Sequence, residues 1–211
     1  MSCTPPAWFN GAFSPARIDP YLRTAQPDGT HAVDHYQWNL QVSEAFYPAL
    51  SILEISLRNA LHAQLQIRYG RADWWNVAPL ESRHLAKVRS AEAEVRRRKG
   101  TNMSADDIIA ELSFGLWVSL LSRTYDRDFW VPALHKAFPR YRGNRRSLHE
   151  SFMVMLLFRN RVMHHEPIHL RHLAADHAKI YRLLGFLAPD AVTWLRQFDR
   201  VPVVLANKPK P

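Results

Sequence analysis

The sequence predicts an all-α fold. Apolar residues recur at intervals of three and four over long stretches, and no stretch alternates apolar and polar residues as a half-buried strand would. Of the 211 residues, 47% are hydrophobic, which suffices for a sizeable core and excludes a disordered chain. We therefore expect a helical bundle in one domain, residues 31–200, preceded by an irregular arm, 1–30, and followed by a tail, 201–211.

The arm is predicted from its prolines and glycines, which favour an irregular path with at most short turns. They are Pro5, Pro6, Pro15, Pro20, Pro27, Gly11 and Gly29. Three aromatic residues, Trp8, Phe9 and Phe13, indicate that the arm packs onto the body of the protein.

A long helical pattern follows from Asp34, with Pro48 as a break or kink and Gly70 as its end. It predicts one long helix, or two end to end, with apolar positions at Tyr36, Leu40, Ala45, Leu50, Leu53, Leu57, Leu61 and Leu65. A polar helix is expected over residues 80–99, where the basic run 96–99 is typical of a solvated helix end and could also touch phosphate.

Ser104 and Asp107 predict the start of a third helix that carries apolar residues through Leu121. An aromatic connection, 129–138, and a basic segment, 140–146, lead to a helix from Ser147 to about His165, closed by Pro167. Two more helices are expected over residues 170–187 and 190–198.

The charge balance favours a polyanionic partner. Lys and Arg number 28 against 19 Asp and Glu, a net charge of +9, which suits nucleic acid, although a basic surface can also simply aid solubility. Cys3 is the only cysteine, which excludes a disulfide framework and a cysteine zinc site and favours a reducing compartment. No leader pattern or apolar run of membrane-spanning length is present, so we expect a cytoplasmic protein without a membrane partner.

The residues most suited to chemistry lie at the end of the helix that Pro167 closes. A phosphate-binding guanidinium is supplied by Arg159 and an amide donor by Asn160. The proton-transfer groups are the neighbouring imidazoles of His164 and His165. RNA brings its own nucleophile, the 2′-hydroxyl, so cleavage needs only a base, an acid and stabilisation of the phosphorane oxygens. This chemistry requires no metal and no cofactor.

Helix geometry limits how these groups can act together. Asn160 and His164, four residues apart, share a face, whereas Arg159 and His164 diverge by roughly 140°. The last turn could loosen, or a two-fold dimer could bring in the same helix from a second subunit. A purely structural role is the alternative, because the helix dipole favours Arg and His at a C-terminus and an Arg-Asn pair can tie helices together.

The segment Arg159–His164 resembles the Arg-polar-three-residues-His signature of HEPN domains, and further segments resemble the Abi-like (abortive infection) family within that group. They are residues 13–21, 36–39, 53–61, 74–75, 111–117 and 164–166. Together they are spread over residues 13 to 166.

The resemblance implies a HEPN-like helical bundle, a homodimer whose motif helices meet, and metal-independent endoribonuclease activity in phage defence or as a toxin. Arg159, Asn160 and His164 match the catalytic motif, and His165, just outside it, is a candidate helper. RNA would be the substrate or a regulator, and an antitoxin or antisense RNA would restrain the protein.

Five further residues are candidate RNA contacts. Arg58 and Asn59, followed by His62, echo the motif upstream, although a Glu54–Arg58 pair and a core hydrogen bond of Asn59 explain them structurally. The others are Arg145 and Arg146 in the basic segment and Arg161 within the motif.

Three other interpretations of the sequence compete with an endoribonuclease. A non-catalytic RNA-binding or RNA-regulated helical module could use the basic runs 96–99 and 140–146, but would not need the set Arg159, Asn160 and His164. A metal site is disfavoured because Pro167 interrupts its candidate ligands, which are His165, Glu166, His169, His172, Asp176 and His177. A nucleotidyltransferase is excluded because the 7 glycines of the chain form no glycine-rich phosphate loop.

Overall fold

The structure is a computed structural model that describes residues 5–210, except for the side chain of Asp28. Cys3 lies outside the described residues. Over those residues the chain is about 75% helical and contains no strand, which confirms the predicted all-α class. Each helix in this part of the chain is either too short or too polar to span a membrane.

Ten α-helices make up most of the described chain. They are α1 (Ala7–Phe13), α2 (Pro15–Asp28), α3 (Ala32–Tyr69), α4 (Ser82–Lys99), α5 (Ala105–Glu111), α6 (Phe114–Ser119), α7 (Arg145–Met163), α8 (Leu173–Leu187), α9 (Pro189–Leu195) and α10 (Val201–Ala206). Short helical turns occupy Trp74–Asn76, Gly100–Asn102, Arg123–Tyr125, Asp126–Trp130 and Leu134–Ala137.

The prediction of an irregular N-terminal arm is wrong, because α1 and α2 occupy that region. Pro15 sits at the start of α2, where its missing N–H costs nothing, and Gly29 ends the helix with φ 65°. The stripe formed by Ile18, Tyr21 and Ala25 is fully buried. This burial outweighs the cost of Pro20 inside the helix.

The N-terminal helices pack through part of the aromatic set that the sequence indicated. Phe9 is buried and joins Ile18, Tyr21 and Tyr36 in a core cluster, and Phe13 packs against it. Trp8, in contrast, is 66% exposed. Helical periodicity explains the difference, since adjacent residues on α1 point in different directions.

Helix α3 is one continuous helix of 38 residues that contains Pro48. Its apolar positions Leu53, Leu57, Leu61 and Leu65, spaced by four, are fully buried. Gly70, with φ 67°, ends it as predicted and donates its N–H to the carbonyl of Gln66 at 2.9 Å. Of the two predicted arrangements, the single long helix is therefore the one observed.

The predicted third helix starts as expected but is broken in two. Ser104 and Asp107 form a reciprocal capping box at the start of α5. Leu112 and Ser113 then adopt extended backbone angles before α6 begins at Phe114. The break re-aims the apolar residues that follow, and Leu116 and Trp117 are both fully buried.

The prediction of a C-terminal tail from residue 201 is also corrected. Residues 201–206 form α10, which buries Val201 and Val204. The indole N–H of Trp38 on α3 donates to the carbonyl of Val204 at 2.9 Å. These apolar and hydrogen-bonded contacts supply the stabilisation that a helix of six residues lacks on its own.

Contacts divide the chain into two compact units. The motif unit comprises the described residues up to Leu50, Leu157–Tyr181 and the described residues from Thr193 onward; the central unit comprises Ser51–Leu156 and Arg182–Val192. The predicted boundaries at residues 30/31 and 200/201 therefore fall inside the motif unit. The four candidate catalytic residues all belong to the motif unit.

Candidate functional site at the end of α7

The candidate catalytic residues lie around the C-terminal end of α7. His164 donates its backbone N–H to the carbonyl of Asn160 at 2.9 Å, an ordinary α-helical bond. Helical hydrogen bonding thus extends through His164, and the last turn does not loosen to bring Arg159 and His164 to one side. On the helix, Asn160 and His164 share a face and Arg159 lies roughly 140° around it.

A two-bond cap ends the helix just after Met163. The N–H of Glu166 donates to the carbonyl of Arg161 at 2.8 Å, and the N–H of His165 donates to that of Val162 at 3.1 Å. This pair of bonds defines a Schellman motif, which satisfies carbonyls that the helix leaves unpaired. Helix α7 therefore ends at Met163, before the predicted end at about His165 and ahead of Pro167.

His165 has an unusual backbone conformation. Its φ is 57°, in the left-handed region that glycine normally occupies at this position of the cap. Among the described non-glycine residues, only Ser14 also has a positive φ. A non-glycine residue there costs about 1–2 kcal/mol, and such strain concentrates at functional sites.

The face of α7 that carries Asn160 and His164 is open to solvent. His164 and His165 are exposed, and Asn160 is partly exposed. Leu157, seven residues before His164 and on the same face, is 57% exposed. Arg161 lies beside this face, and its Nε is 3.7 Å from Oε2 of Glu166. The helix end thus presents imidazole, amide and guanidinium groups together with one large apolar side chain.

Behind α7, aromatic and charged residues fix its path within the motif unit. Phe158 is fully buried and packs edge-on against Phe46, with ring centroids 4.9 Å apart. The guanidinium of Arg171 lies over the Phe158 ring at 5.0 Å and pairs with Asp176 at 2.8 and 3.0 Å. These contacts hold the turn that contains Arg159 and Asn160.

Asn39 is a residue of the site that the sequence interpretation missed. Its Oδ1 accepts the backbone N–H groups of Ile168 at 2.8 Å and His169 at 3.2 Å, and the side chain is 2% exposed. One buried amide on α3 thereby clamps the chain that leaves the motif. The sequence did carry a signal for this role, since Asn39 is a polar residue between Tyr36 and Val42 on an apolar stripe. An amide buried at such a position must find hydrogen-bond partners.

Replacing Asn39 with alanine is expected to lower the free energy of unfolding by roughly 2 kcal/mol or more, because two buried N–H groups lose their acceptor. Denaturant unfolding measures the change. Gln37→Ala, at an exposed position of the same helix, is the matched control and should stay within about 0.5 kcal/mol of the unchanged protein. Equal stability of the two variants would contradict the clamp.

His169 is held by the same part of the motif unit as a neutral, buried imidazole. Its Nε2 lies 2.9 Å from Oγ1 of Thr24, whose hydroxyl donates to the carbonyl of Pro20, so Nε2 is the protonated nitrogen. The ring stacks on Tyr21 at 4.6 Å, and Nδ1 is buried without a hydrogen-bond partner. Burial, assisted by the nearby His35, lowers the pKa of His169 to about 4.

The other histidines considered as metal ligands are engaged in separate contacts. Nδ1 of His172 accepts the backbone N–H of Ala175 at the start of α8, and Nε2 of His177 lies 2.6 Å from Oδ2 of Asp199. Among residues 5–210, no three or more His, Cys, Asp or Glu side chains are grouped to hold a metal ion.

The upstream echo of the motif lies on α3 in the central unit. Nε of Arg58 donates to Oδ1 of Asn59 at 3.1 Å. Nδ1 of His62 accepts the indole N–H of Trp74 at 3.1 Å, and burial lowers the pKa of His62. His62 is therefore held as a neutral hydrogen-bond acceptor, while RNA contact by Arg58 and Asn59 stays a prediction.

The two arginines at the start of α7 differ in how they are engaged. Arg145 is 14% exposed and donates to Oδ1 of Asp126 and to the carbonyl of Leu121, both at 2.7 Å. Arg146 is 82% exposed and pairs with Glu150 at 2.8 Å. Arg145 thus anchors the helix start, and Arg146 is the more accessible of these two predicted RNA contacts.

Together, the observations define an all-α protein with a capped helix end that exposes imidazole, amide and guanidinium groups. Comparison of the chain with protein-family models, curated proteins and solved structures gave no match. Function is therefore inferred from the residues themselves and from the resemblance of the motif.

Proposed function

We propose that this protein is a metal-independent endoribonuclease. The observation that carries the proposal is the pairing of Asn160 and His164 on one exposed face at the capped end of α7, beside His165 in its left-handed conformation. The resemblance to Abi-like HEPN proteins supports a cytoplasmic role in abortive infection or as a toxin. An antitoxin or antisense RNA would then restrain the activity.

The proposed reaction is attack of the ribose 2′-oxygen on the adjacent phosphorus. His164 accepts the 2′-hydroxyl proton, a new oxygen–phosphorus bond forms, and the bond to the 5′-oxygen breaks. An imidazolium, from His165 or a second His164, donates a proton to the departing 5′-oxygen. Arg159 and Asn160 stabilise the charge on the non-bridging phosphate oxygens. The products are a 2′,3′-cyclic phosphate and a 5′-hydroxyl.

A homodimer would assemble these groups despite their divergence on one helix. A two-fold axis beside α7 would set the same face of a second copy opposite the first, so that one cleft would hold groups from both helices. Exposed Leu157, on the face of Asn160 and His164, would become buried there. Leu157 therefore marks the expected centre of the dimer contact.

Cleavage in EDTA of RNA and of its fully 2′-O-methylated counterpart tests the reaction. The proposal predicts that RNA yields 2′,3′-cyclic phosphate ends, whereas the methylated strand, which lacks the nucleophile, stays intact. Gel electrophoresis and end-group analysis by mass spectrometry measure both. RNA that is retained but uncut would support a binding module instead, and cleavage of the methylated strand would exclude 2′-hydroxyl attack.

A further inference from the structure

A groove of about 710 Å³ lies in the central unit, along the chain between Trp130 and Gly143. Its lining includes three aromatic residues, Trp130, Phe138 and Tyr141, and two cationic ones, Lys136 and Arg142. His135 also contributes, and none of the described residues that line the groove is Asp or Glu. We call it the connection groove, because it follows the predicted aromatic connection and the start of the basic segment.

Buried anchors give the connection groove a firm base. Leu134, Ala137 and Phe138 are buried, whereas His135 and Lys136 between them are exposed. The short turn Leu134–Ala137 thus points its apolar residues inward and its basic residues outward. Because the anchors fix the backbone, the two basic side chains are presented at a defined place on the surface.

Trp130 and Tyr141 are each held in place by a ring contact. Trp130 packs against Phe138, with centroids 6.0 Å apart, and Tyr141 packs against Phe186 at 5.0 Å. The hydroxyl of Tyr141 donates to the carbonyl of Asn144 at 2.9 Å. A Cβ at position 143 would collide with the tip of the Tyr141 ring, so Gly143 lets this ring fold over the loop.

The cations of the connection groove differ from those of the basic run at the end of α4. There, Arg97, Arg98 and Lys99 pair with Glu94, Glu111 and Asp107. In the groove, Nη1 of Arg142 donates to the carbonyls of Pro139 at 2.7 Å and Tyr141 at 3.2 Å. These contacts orient the guanidinium without neutralising it, and its other N–H groups can reach a phosphate.

We propose that the connection groove binds single-stranded RNA, with phosphates at Lys136 and Arg142 and bases stacked against Trp130 and Tyr141. Aromatic faces beside cations are the usual combination for sequence-tolerant binding of single strands. The choice of RNA rests on the proposed function, whereas binding itself does not require cleavage. The groove would hold part of the substrate strand. The motif residues, in contrast, are proposed to act on the scissile phosphate.

Binding of a short fluorescein-labelled 2′-O-methyl oligouridylate, followed by fluorescence anisotropy, tests this proposal. The probe lacks the attacking hydroxyl, so the measurement is independent of whether the protein cuts RNA. The double variant Lys136→Ala/Arg142→Ala should bind about tenfold more weakly at physiological salt. The slope of log affinity against log salt concentration should become shallower by about 1.4, because two phosphate contacts are lost. Trp130→Phe should retain most of the binding, because it keeps an aromatic face.

The matched control is Arg89→Ala/Arg97→Ala, which removes the same charge from two arginines that pair with Glu92 and Glu94. Its affinity should change less than about twofold. Lys136→Glu leaves Arg142 and its contacts to the loop in place, so it separates a loss of charge from a disturbed loop. It should weaken binding at least as strongly as the double variant. If the Arg89/Arg97 and Lys136/Arg142 variants lose the same amount of affinity, net charge alone explains the effect, and the proposal is overturned.

Discussion

His164→Ala is expected to reduce RNA cleavage in EDTA by about 10²–10⁴-fold, the usual contribution of a positioned general acid or base. Because His164 is exposed, its loss should leave folding almost unchanged. Initial rates on a labelled RNA, with thermal unfolding of the same samples, separate lost chemistry from lost structure. The expected result is a folded protein that no longer cleaves.

A second exposed histidine provides the control for this experiment. His172→Asn removes an imidazole from the same unit while keeping a side chain that can accept the N–H of Ala175 at the start of α8. Its cleavage rate should equal that of the unchanged protein. If His164→Ala and the control cleave equally well, His164 has no role in the reaction, and the structural role of an imidazole at a helix end explains its presence.

Leu157→Glu is expected to prevent dimer formation and, with it, cleavage. A two-fold axis beside this face would bring the two glutamates close together, so both like-charge repulsion and loss of apolar contact oppose association. Cleavage at low protein concentration should fall by about tenfold or more as the monomer becomes dominant. Analytical ultracentrifugation measures the association, and rates at several concentrations measure its link to activity.

Leu170→Glu is the matched control, because Leu170 is 75% exposed in the same unit and lies outside α7. This variant should keep the association state and rate of the unchanged protein. A monomeric Leu157→Glu variant with full activity would exclude the dimer as a condition of cleavage. A dimeric variant would place the subunit contact elsewhere on the surface.

The sequence predicted most accurately where neighbouring residues decide the structure. The leucines at positions 50–65 of α3 and the Ser104–Asp107 cap depend on intervals of three and four residues, and both were found as expected. Leu40, predicted on the same apolar stripe, is instead 47% exposed. The irregular arm predicted from the N-terminal prolines was wrong, because burial of the stripe around Tyr21 outweighs the local cost of Pro20 inside α2. The break at Leu112 and Ser113 was likewise invisible to periodicity, which continues across it.

By itself, the sequence determined that this chain is helical and that Asn160 and His164 share one face, because both properties depend on residues within a few positions. Only the tertiary structure decided what surrounds that face. Asn39 holds the backbone at Ile168 and His169 across 129 and 130 positions of sequence. Such a contact depends on the path of the whole chain, and periodicity and spacing carry no information about that path.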